Sequence, residues 1–241
     1  MEIREGFIVG VFNHCDRWCE TCALTSYCRV FADLARADAA MDVNMAAVVD
    51  ATQAVYDGRR APMKWLEDVL EDMRALGGEL LTKEDIAACE PRMSTAHQEI
   101  YERAKAYGVR AHDCVGQLER GARHDATDPI AVISWFSSLN ASNIGRALAG
   151  LAEFDGNRAF PPDHEGAAKV ALLGIDRSDA AWQQLVAARR VSAARAGPCR
   201  EELAWIRLQL EAAIPEARRF VRPGFDEPEA VAGLLEGTLR P

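Results

Sequence analysis

The chain has 241 residues, a formal net charge of −9, and 49% apolar against 27% charged residues, a balance that supports an ordinary globular core. The acidic charge argues against a nucleic-acid partner, which would need a clustered basic face. No apolar run reaches the about 20 residues of a membrane helix. Acidic residues near the N-terminus also differ from the basic start of a signal peptide. We therefore expect a cytoplasmic protein without membrane or nucleic-acid partners.

The first forty residues predict an extended start followed by a helix. Residues 3–12 are rich in β-branched and aromatic side chains and predict a short strand or an extended lead-in. A group of cysteines follows. Thr25 or Ser26 then provides an N-cap for a helix that we expect to end near Ala39.

From residue 42 onward, apolar residues recur at helical spacing. Predicted helices cover 42–56 and begin again at Pro62, at Ser94 or Thr95, and at Asp128.

The C-terminal third continues in the same way. A helix starting at Pro161 is expected to run to about Ala196, where Gly197-Pro198 separates it from the next. A last helix is expected from Pro228 to about Leu239.

We predict an all-α fold, a single irregular bundle of about seven to nine helices. The predicted single domain covers 1–241, with a cysteine-rich metal-binding segment over 1–30 and the helical bundle over 31–241.

Four of the seven cysteines, Cys15, Cys19, Cys22 and Cys28, follow the spacing C-x3-C-x2-C-x5-C. Clustered cysteines in a reducing compartment indicate metal binding or catalysis before disulfides. If 15–22 were helical, the first three would share one face. A bend after Cys22 would then bring Cys28 to them. We predict that all four bind one metal.

Two metals compete for these thiols. Iron–sulfur clusters often take close-set cysteines with one longer gap, and the C-x2-C-x5-C ending resembles the end of the cluster loop in the endonuclease III type of DNA glycosylase. We therefore favour a [4Fe–4S] cluster used for electron transfer, redox sensing or structure. The alternative is a helical interaction protein with a structural zinc on the same cysteines, although such sites usually separate two short pairs. Whether the protein is an enzyme is left open.

Two neighbours of the cysteines have expected roles. Trp18 would shield the metal from water, which tunes its potential. His14 would either replace one ligand or remain an ordinary exposed histidine beside the site.

A third hypothesis is a radical S-adenosylmethionine enzyme. The run from Cys15 to Cys22 matches the three-cysteine motif of that family, and Gly77-Gly78-Glu79 resembles its glycine-rich motif. Those enzymes place the motif in a barrel of alternating strands and helices. The sequence shows no run of strands, so this hypothesis ranks third.

The stretch Cys-Asp-x-Trp-Cys-Glu-x-Cys with Cys28 five residues on, together with residues 168–178, resembles a family of uncharacterised bacterial proteins of similar length. The resemblance covers both ends of the helical region. It implies no activity.

Polar residues interrupt two predicted apolar helix faces. Ser137 and Asn140 lie on one such face, and Lys169 and Asp176 are seven residues apart on another, with Arg177 beside them. Buried charges are costly unless paired, and such sets concentrate at functional sites. We predict a small-molecule or anion pocket on Asn140, Lys169, Asp176 and Arg177. The alternatives are a structural ion pair and a solvated stripe on the helix surface. In a structural pair, loss of Asp176 would cost about 3 kcal/mol.

The expected partners are a redox partner protein or a small-molecule ligand. The oligomeric state is left open.

Overall fold

The structure is a computed structural model that describes residues 1–36, 93–116, 118, 128–153 and 163–238. Over these ranges the chain is mostly helical with little strand, which confirms the all-α class. None of the described helices combines the length and the apolar character needed to cross a membrane. The predicted helices over 42–56 and from Pro62, the Gly77-Gly78-Glu79 motif and the Pro161 helix start lie outside the described residues.

The chain divides into two compact units. One contains Met1–Arg29 and Pro91–Pro241, and the other contains Val30–Glu90. In the second unit the described residues, 30–36, are helical. The single domain over 1–241 stays a prediction, because most of this second unit lies outside the described residues.

The first unit opens with a small antiparallel hairpin of β1 (Ile3–Arg4) and β2 (Phe7–Ile8). The hairpin takes the place of the one short strand or extended lead-in predicted over 3–12, and residues 11 and 12 belong to a 3-10 turn. Glu5 and Gly6 join the strands with φ of 53° and 82°. A two-residue turn with two positive φ angles matches the twist of a hairpin, and glycine adopts that conformation without strain.

Four long helices form the main core. They are α1 (Thr95–Gly116), α2 (Pro129–Glu153), α3 (Asp163–Ala187) and α4 (Ala193–Ala213). Helix α2 packs on α1 and α3, and α4 packs on the same two helices. The largest fully buried side chains of this core are Trp182, Tyr107, Phe136, Ile130, Ile133, Ile144, Leu148, Leu172, Ile175, Leu185 and Leu203.

Two helix starts follow the predicted capping residues. Ser94 Oγ accepts a hydrogen bond from the backbone N–H of His97 at 3.1 Å, just before α1. Asp128 Oδ1 accepts one from the N–H of Ile130 at 3.0 Å, with Pro129 in the first turn of α2. Each cap satisfies an N–H that the helix itself leaves without a partner.

The predicted separation at Gly197-Pro198 is wrong. Helix α3 ends at Ala187, Arg189 takes a left-handed φ of 56°, and Ser192 caps α4, which contains Pro198. A proline inside a helix leaves the carbonyl four residues earlier without its donor. Ala194 and Pro198 are both exposed, so water can satisfy that carbonyl while the buried side chains of α4 continue to pack.

After α4 the chain makes a short turn over Ala217–Arg219 and an irregular stretch, and it ends in helix α5 (Pro228–Thr238). We call residues 220–232 the C-terminal segment. It returns to the N-terminal end of the unit, where Phe225 and Val231 pack against Ile8, Val11 and Leu24.

Candidate functional site

The four clustered cysteines lie in what we call the cysteine segment, residues 11–28. It consists of three 3-10 turns, Val11–His14, Cys19–Thr21 and Thr25–Tyr27, joined by extended residues. The helix considered for 15–22 is therefore absent. Arg17 takes a left-handed φ of 56°, which an α-helix cannot contain. The expected bend before Cys28 is present as the third turn.

Backbone N–H groups reach two of the four sulfurs. The N–H of Leu24 donates to Cys22 Sγ at 3.4 Å, and the N–H of Arg17 donates to the sulfur of Cys15. In both cases the donor belongs to the residue two positions after the cysteine. Hydrogen bonds of this kind favour the thiolate over the thiol.

All four cysteines of the segment are free and half-buried. Burial raises the pKa of Cys15 and of Cys19, and negative charge on Cys15, Cys22 and Cys28 raises the pKa of Cys19 further. The four sulfurs are thus near enough to act on one another electrostatically. Within the part of the chain that the structure describes, however, no three histidine, cysteine or carboxylate side chains form a ready-made ligand set.

The apolar core beneath the cysteine segment is small. Its buried members are Ile8, Val11 and Leu24, and the half-buried side chains around it include Cys22 and Cys28. Each fully buried aliphatic side chain contributes about 1.5–3 kcal/mol, whereas ordering one residue costs about 1–2 kcal/mol. Three such side chains cannot hold the whole segment, which therefore depends on further contacts or on a bound metal.

Helix α2 supplies some of those contacts. Trp135 Nε1 donates to the backbone oxygen of Asp16 at 2.8 Å, and Arg146 Nη2 donates to that of Asn13 at 2.6 Å. The indole of Trp18 stacks on Trp135 with ring centroids 5.1 Å apart. The segment is thereby fastened along one helix. The expected shielding of a metal by Trp18 stays a prediction.

His14 is buried, so the prediction of an exposed histidine is wrong. Its ring meets Phe220 edge-on with centroids 4.7 Å apart, and it lies against Gly166 of α3. A Cβ on Gly166 would come within 2.3 Å of the imidazole. Burial lowers the pKa of His14, although the nearby carboxylate of Asp163 opposes this, so the ring is uncharged at neutral pH.

The structure brings two of the four predicted pocket residues to one place. Lys169 Nζ donates to the backbone oxygen of Arg218 at 2.6 Å, and Asp176 Oδ2 accepts from Arg218 Nη1 at 2.6 Å. The side chains of Asp176 and Arg218 are 40% and 36% exposed. This is a half-exposed ion pair between α3 and the turn after α4.

The other two predicted pocket residues lie elsewhere. Asn140 is buried, and its Oδ1 faces Gly174, where a Cβ would come within 2.1 Å of it. Arg177 reaches the cysteine segment, where its Nη1 is 2.6 Å from Asp16 Oδ2. The four residues therefore lie at three places, and their role in ligand binding stays a prediction.

A cavity of about 880 Å³ adjoins the cysteine segment. It is open to solvent and is bordered by that segment, by α2 and α3, and by the C-terminal segment, and Cys22 and Trp18 form part of its wall. Sequence reasoning missed this cavity and the anchoring roles of Trp135 and Arg146. No sequence pattern marks these features, because the residues involved are far apart along the chain.

Comparison with protein-family models, with curated proteins and with solved structures finds no match to this chain. Any function must therefore be inferred from the residues themselves.

Proposed function

We propose that this chain is a cytoplasmic metal-binding protein, a helical bundle that holds one [4Fe–4S] cluster on Cys15, Cys19, Cys22 and Cys28. The cluster would serve electron transfer, redox sensing or structure. The supporting observation is a set of four free thiols in one short segment, two of whose sulfurs accept backbone N–H bonds. Such bonds stabilise thiolate ligands and tune the potential of a cluster.

A bound cluster would supply the positive charge that four half-buried, mutually repelling thiolates lack. Within the described residues no three metal-ligating side chains are close enough together to hold an ion. Cluster binding would therefore be coupled to a rearrangement of the cysteine segment. The helices α2 and α3 would provide the fixed surface for this change. The contacts of Trp135 and Arg146 with the backbone of the segment hold it there.

The alternative is a structural zinc in a protein that acts by binding a partner protein. The small core of Ile8, Val11 and Leu24 supports a structural role for the metal. A zinc ion bound by four thiolates would stabilise the folded segment directly. Four ligands complete its coordination, so this alternative includes no catalysis at the metal.

Absorption spectroscopy and elemental analysis of anaerobically purified protein separate the two. We expect about four irons and four sulfides per chain with a broad band near ~400 nm, as for a [4Fe–4S] cluster. A colourless protein with about one zinc per chain would favour the alternative. Protein that keeps neither metal after reconstitution would exclude both.

Single substitutions assign the ligands. Cys22→Ala and Cys28→Ala should each lose most of the bound metal, because each removes one of four ligands. Cys199→Ala is the matched control, since Cys199 is a free thiol buried in the main core. Full metal content in both cysteine-segment variants would contradict the assignment.

A further inference from the structure

The cavity beside the cysteine segment has the size and lining of a small-molecule site. Its volume of about 880 Å³ falls within the roughly 300–1,000 Å³ of such sites. Apolar side chains from all of its walls line it, among them Leu24, Val132, Phe136, Ala181, Phe225 and Val231. A ligand would thus meet flat aromatic and aliphatic surface over most of its body.

Arg177 contributes a guanidinium to this lining from α3. Its Cζ lies 5.7 Å from the ring centroid of Phe136, and its Nη1 is 2.6 Å from Asp16 Oδ2. Among the described residues this is the only hydrogen bond of Arg177, so the N–H groups of Nε and Nη2 can donate to a ligand. The Phe136 ring and the Asp16 carboxylate hold the Arg177 side chain in place, which reduces the conformational entropy that this side chain loses when a ligand binds.

Arg222 contributes a second guanidinium from the C-terminal segment. Its Cζ lies 5.1 Å from the ring centroid of Phe225, and its Nε and Nη2 bind the carboxylate of Asp226. Each arginine that lines the cavity is therefore stacked on an aromatic ring that lines it too.

Both arginines of the lining are paired with carboxylates, Arg177 with Asp16 and Arg222 with Asp226, so the cavity carries little net charge. Among the described residues, Arg177 still has N–H groups on Nε and Nη2 that donate to no protein acceptor. Guanidinium groups present paired N–H donors that match the two oxygens of a carboxylate. An anionic group is consequently the complementary head group for this cavity.

We propose that the cavity binds an organic anion, a carboxylate carried on a flat apolar body. Arg177 donates to the carboxylate from Nε or Nη2, and the body lies along the half-buried side chains of Val132 and Phe225. The proposal goes beyond metal binding, and because the cysteine segment forms one wall of the cavity, both metal-loaded and metal-free protein are titrated.

Isothermal titration calorimetry with 2-naphthoate and its neutral analogue 2-naphthamide tests this on the purified protein. We expect one naphthoate per chain and binding of the amide at least about tenfold weaker, a difference of about 1.4 kcal/mol. Arg177→Gln should weaken naphthoate binding by about tenfold and leave the amide unchanged. Arg219→Gln is the control, because its side chain is 79% exposed and pairs with Glu216 in the same turn.

A cavity-filling variant tests the location. Ala180 is an exposed residue of α3 that lines the cavity, so Ala180→Trp should abolish binding of both probes. Ala212→Trp replaces an exposed alanine of α4 outside the cavity and should bind normally. No binding of naphthoate at about 1 mM, equal affinity for both probes, or full binding in Ala180→Trp would each overturn the proposal. Metal content is measured in parallel on the same samples. It distinguishes loss of ligand binding in the cavity from loss of metal binding at the cysteines.

Discussion

Trp18 stacks on Trp135 with ring centroids 5.1 Å apart and ring planes inclined by 19°. Trp18 lies between Cys15 and Cys19 in the cysteine segment, and Trp135 lies on α2. The same indole of Trp135 donates to the backbone oxygen of Asp16 at 2.8 Å. One side chain of the helical core therefore contacts the cysteine segment both through its ring face and through its N–H.

Trp135→Ala should lower the free energy of unfolding by about 2–3 kcal/mol, because it removes both contacts, and it should reduce the amount of the proposed metal that each chain retains. Trp135→Phe keeps an aromatic ring and loses the hydrogen bond, so it should cost about 1 kcal/mol. Urea denaturation and elemental analysis measure the two effects. Unchanged stability and metal content in Trp135→Ala would contradict the anchoring role.

Gly166→Ala should destabilise the protein by about 1–3 kcal/mol, because the added methyl group would come within 2.3 Å of His14 and 2.9 Å of Phe220. Gly233→Ala is the matched control on α5, where an added Cβ meets nothing within 4 Å. The control should be neutral or stabilising by about 0.5–1 kcal/mol. Thermal unfolding of both variants checks the difference. Equal melting temperatures would mean that His14 is not held tightly against α3.

If the cysteine segment binds the proposed metal, removal of that metal should loosen the segment and leave the helical core intact. The segment has few buried apolar side chains, whereas α1–α4 share an extensive core. After chelation we expect tryptic cleavage at Arg17 and Arg29 to accelerate by at least about tenfold, while the helical circular dichroism stays nearly constant. Cleavage at Arg200 in α4 is the internal control. Identical cleavage rates with and without metal would contradict a role of the metal in ordering this segment.

Asp176→Ala should destabilise by about 0.5–1 kcal/mol, because the Asp176–Arg218 pair is about 40% exposed and water screens it. This is well below the about 3 kcal/mol expected from the sequence for a buried pair. Chemical denaturation measures the change, with Glu216→Ala on the exposed pair to Arg219 as the control. A loss near 3 kcal/mol would mean that the pair is more deeply buried in solution.

The Asp179–Arg200 pair should contribute stability that acid removes. Burial by itself would raise the pKa of Asp179, but hydrogen bonds from Arg200 and Gln183 outweigh it and hold the pKa below its ordinary value. A carboxylate with a lowered folded-state pKa stabilises the fold fully above its unfolded pKa of about 3.9. That contribution disappears as the pH falls through the lower folded value.

Asp179→Asn should therefore cost about 0.5–1 kcal/mol at neutral pH and progressively less as the pH falls below about 3.9. Urea midpoints of metal-free wild type and variant, measured at neutral pH and at several acidic pH values, give the comparison, since acid would also release the proposed metal. A difference that stays constant from neutral to acid pH would exclude the ionic contribution.

Much of the helical architecture was predictable from local patterns. Ser94, Asp128 and Pro129 start helices as their capping chemistry predicts, because caps act on neighbouring N–H groups. Gly197-Pro198 did not end a helix, because Pro198 lies on an exposed face where the cost of the missing N–H is small. A local pattern cannot show which face of a helix will meet water.

The sequence by itself determined that four cysteines lie close together and that the described chain is mostly helical, since both depend on neighbours along the chain. Only the tertiary structure decided that Arg177 turns to Asp16 while Asp176 pairs with Arg218. These two residues are adjacent in sequence, yet consecutive positions on a helix point about 100° apart and so reach different partners. The cavity with Arg177 and Arg222 likewise exists only because the C-terminal segment returns to the cysteine segment. Such a return depends on packing between distant residues, which local periodicity does not encode.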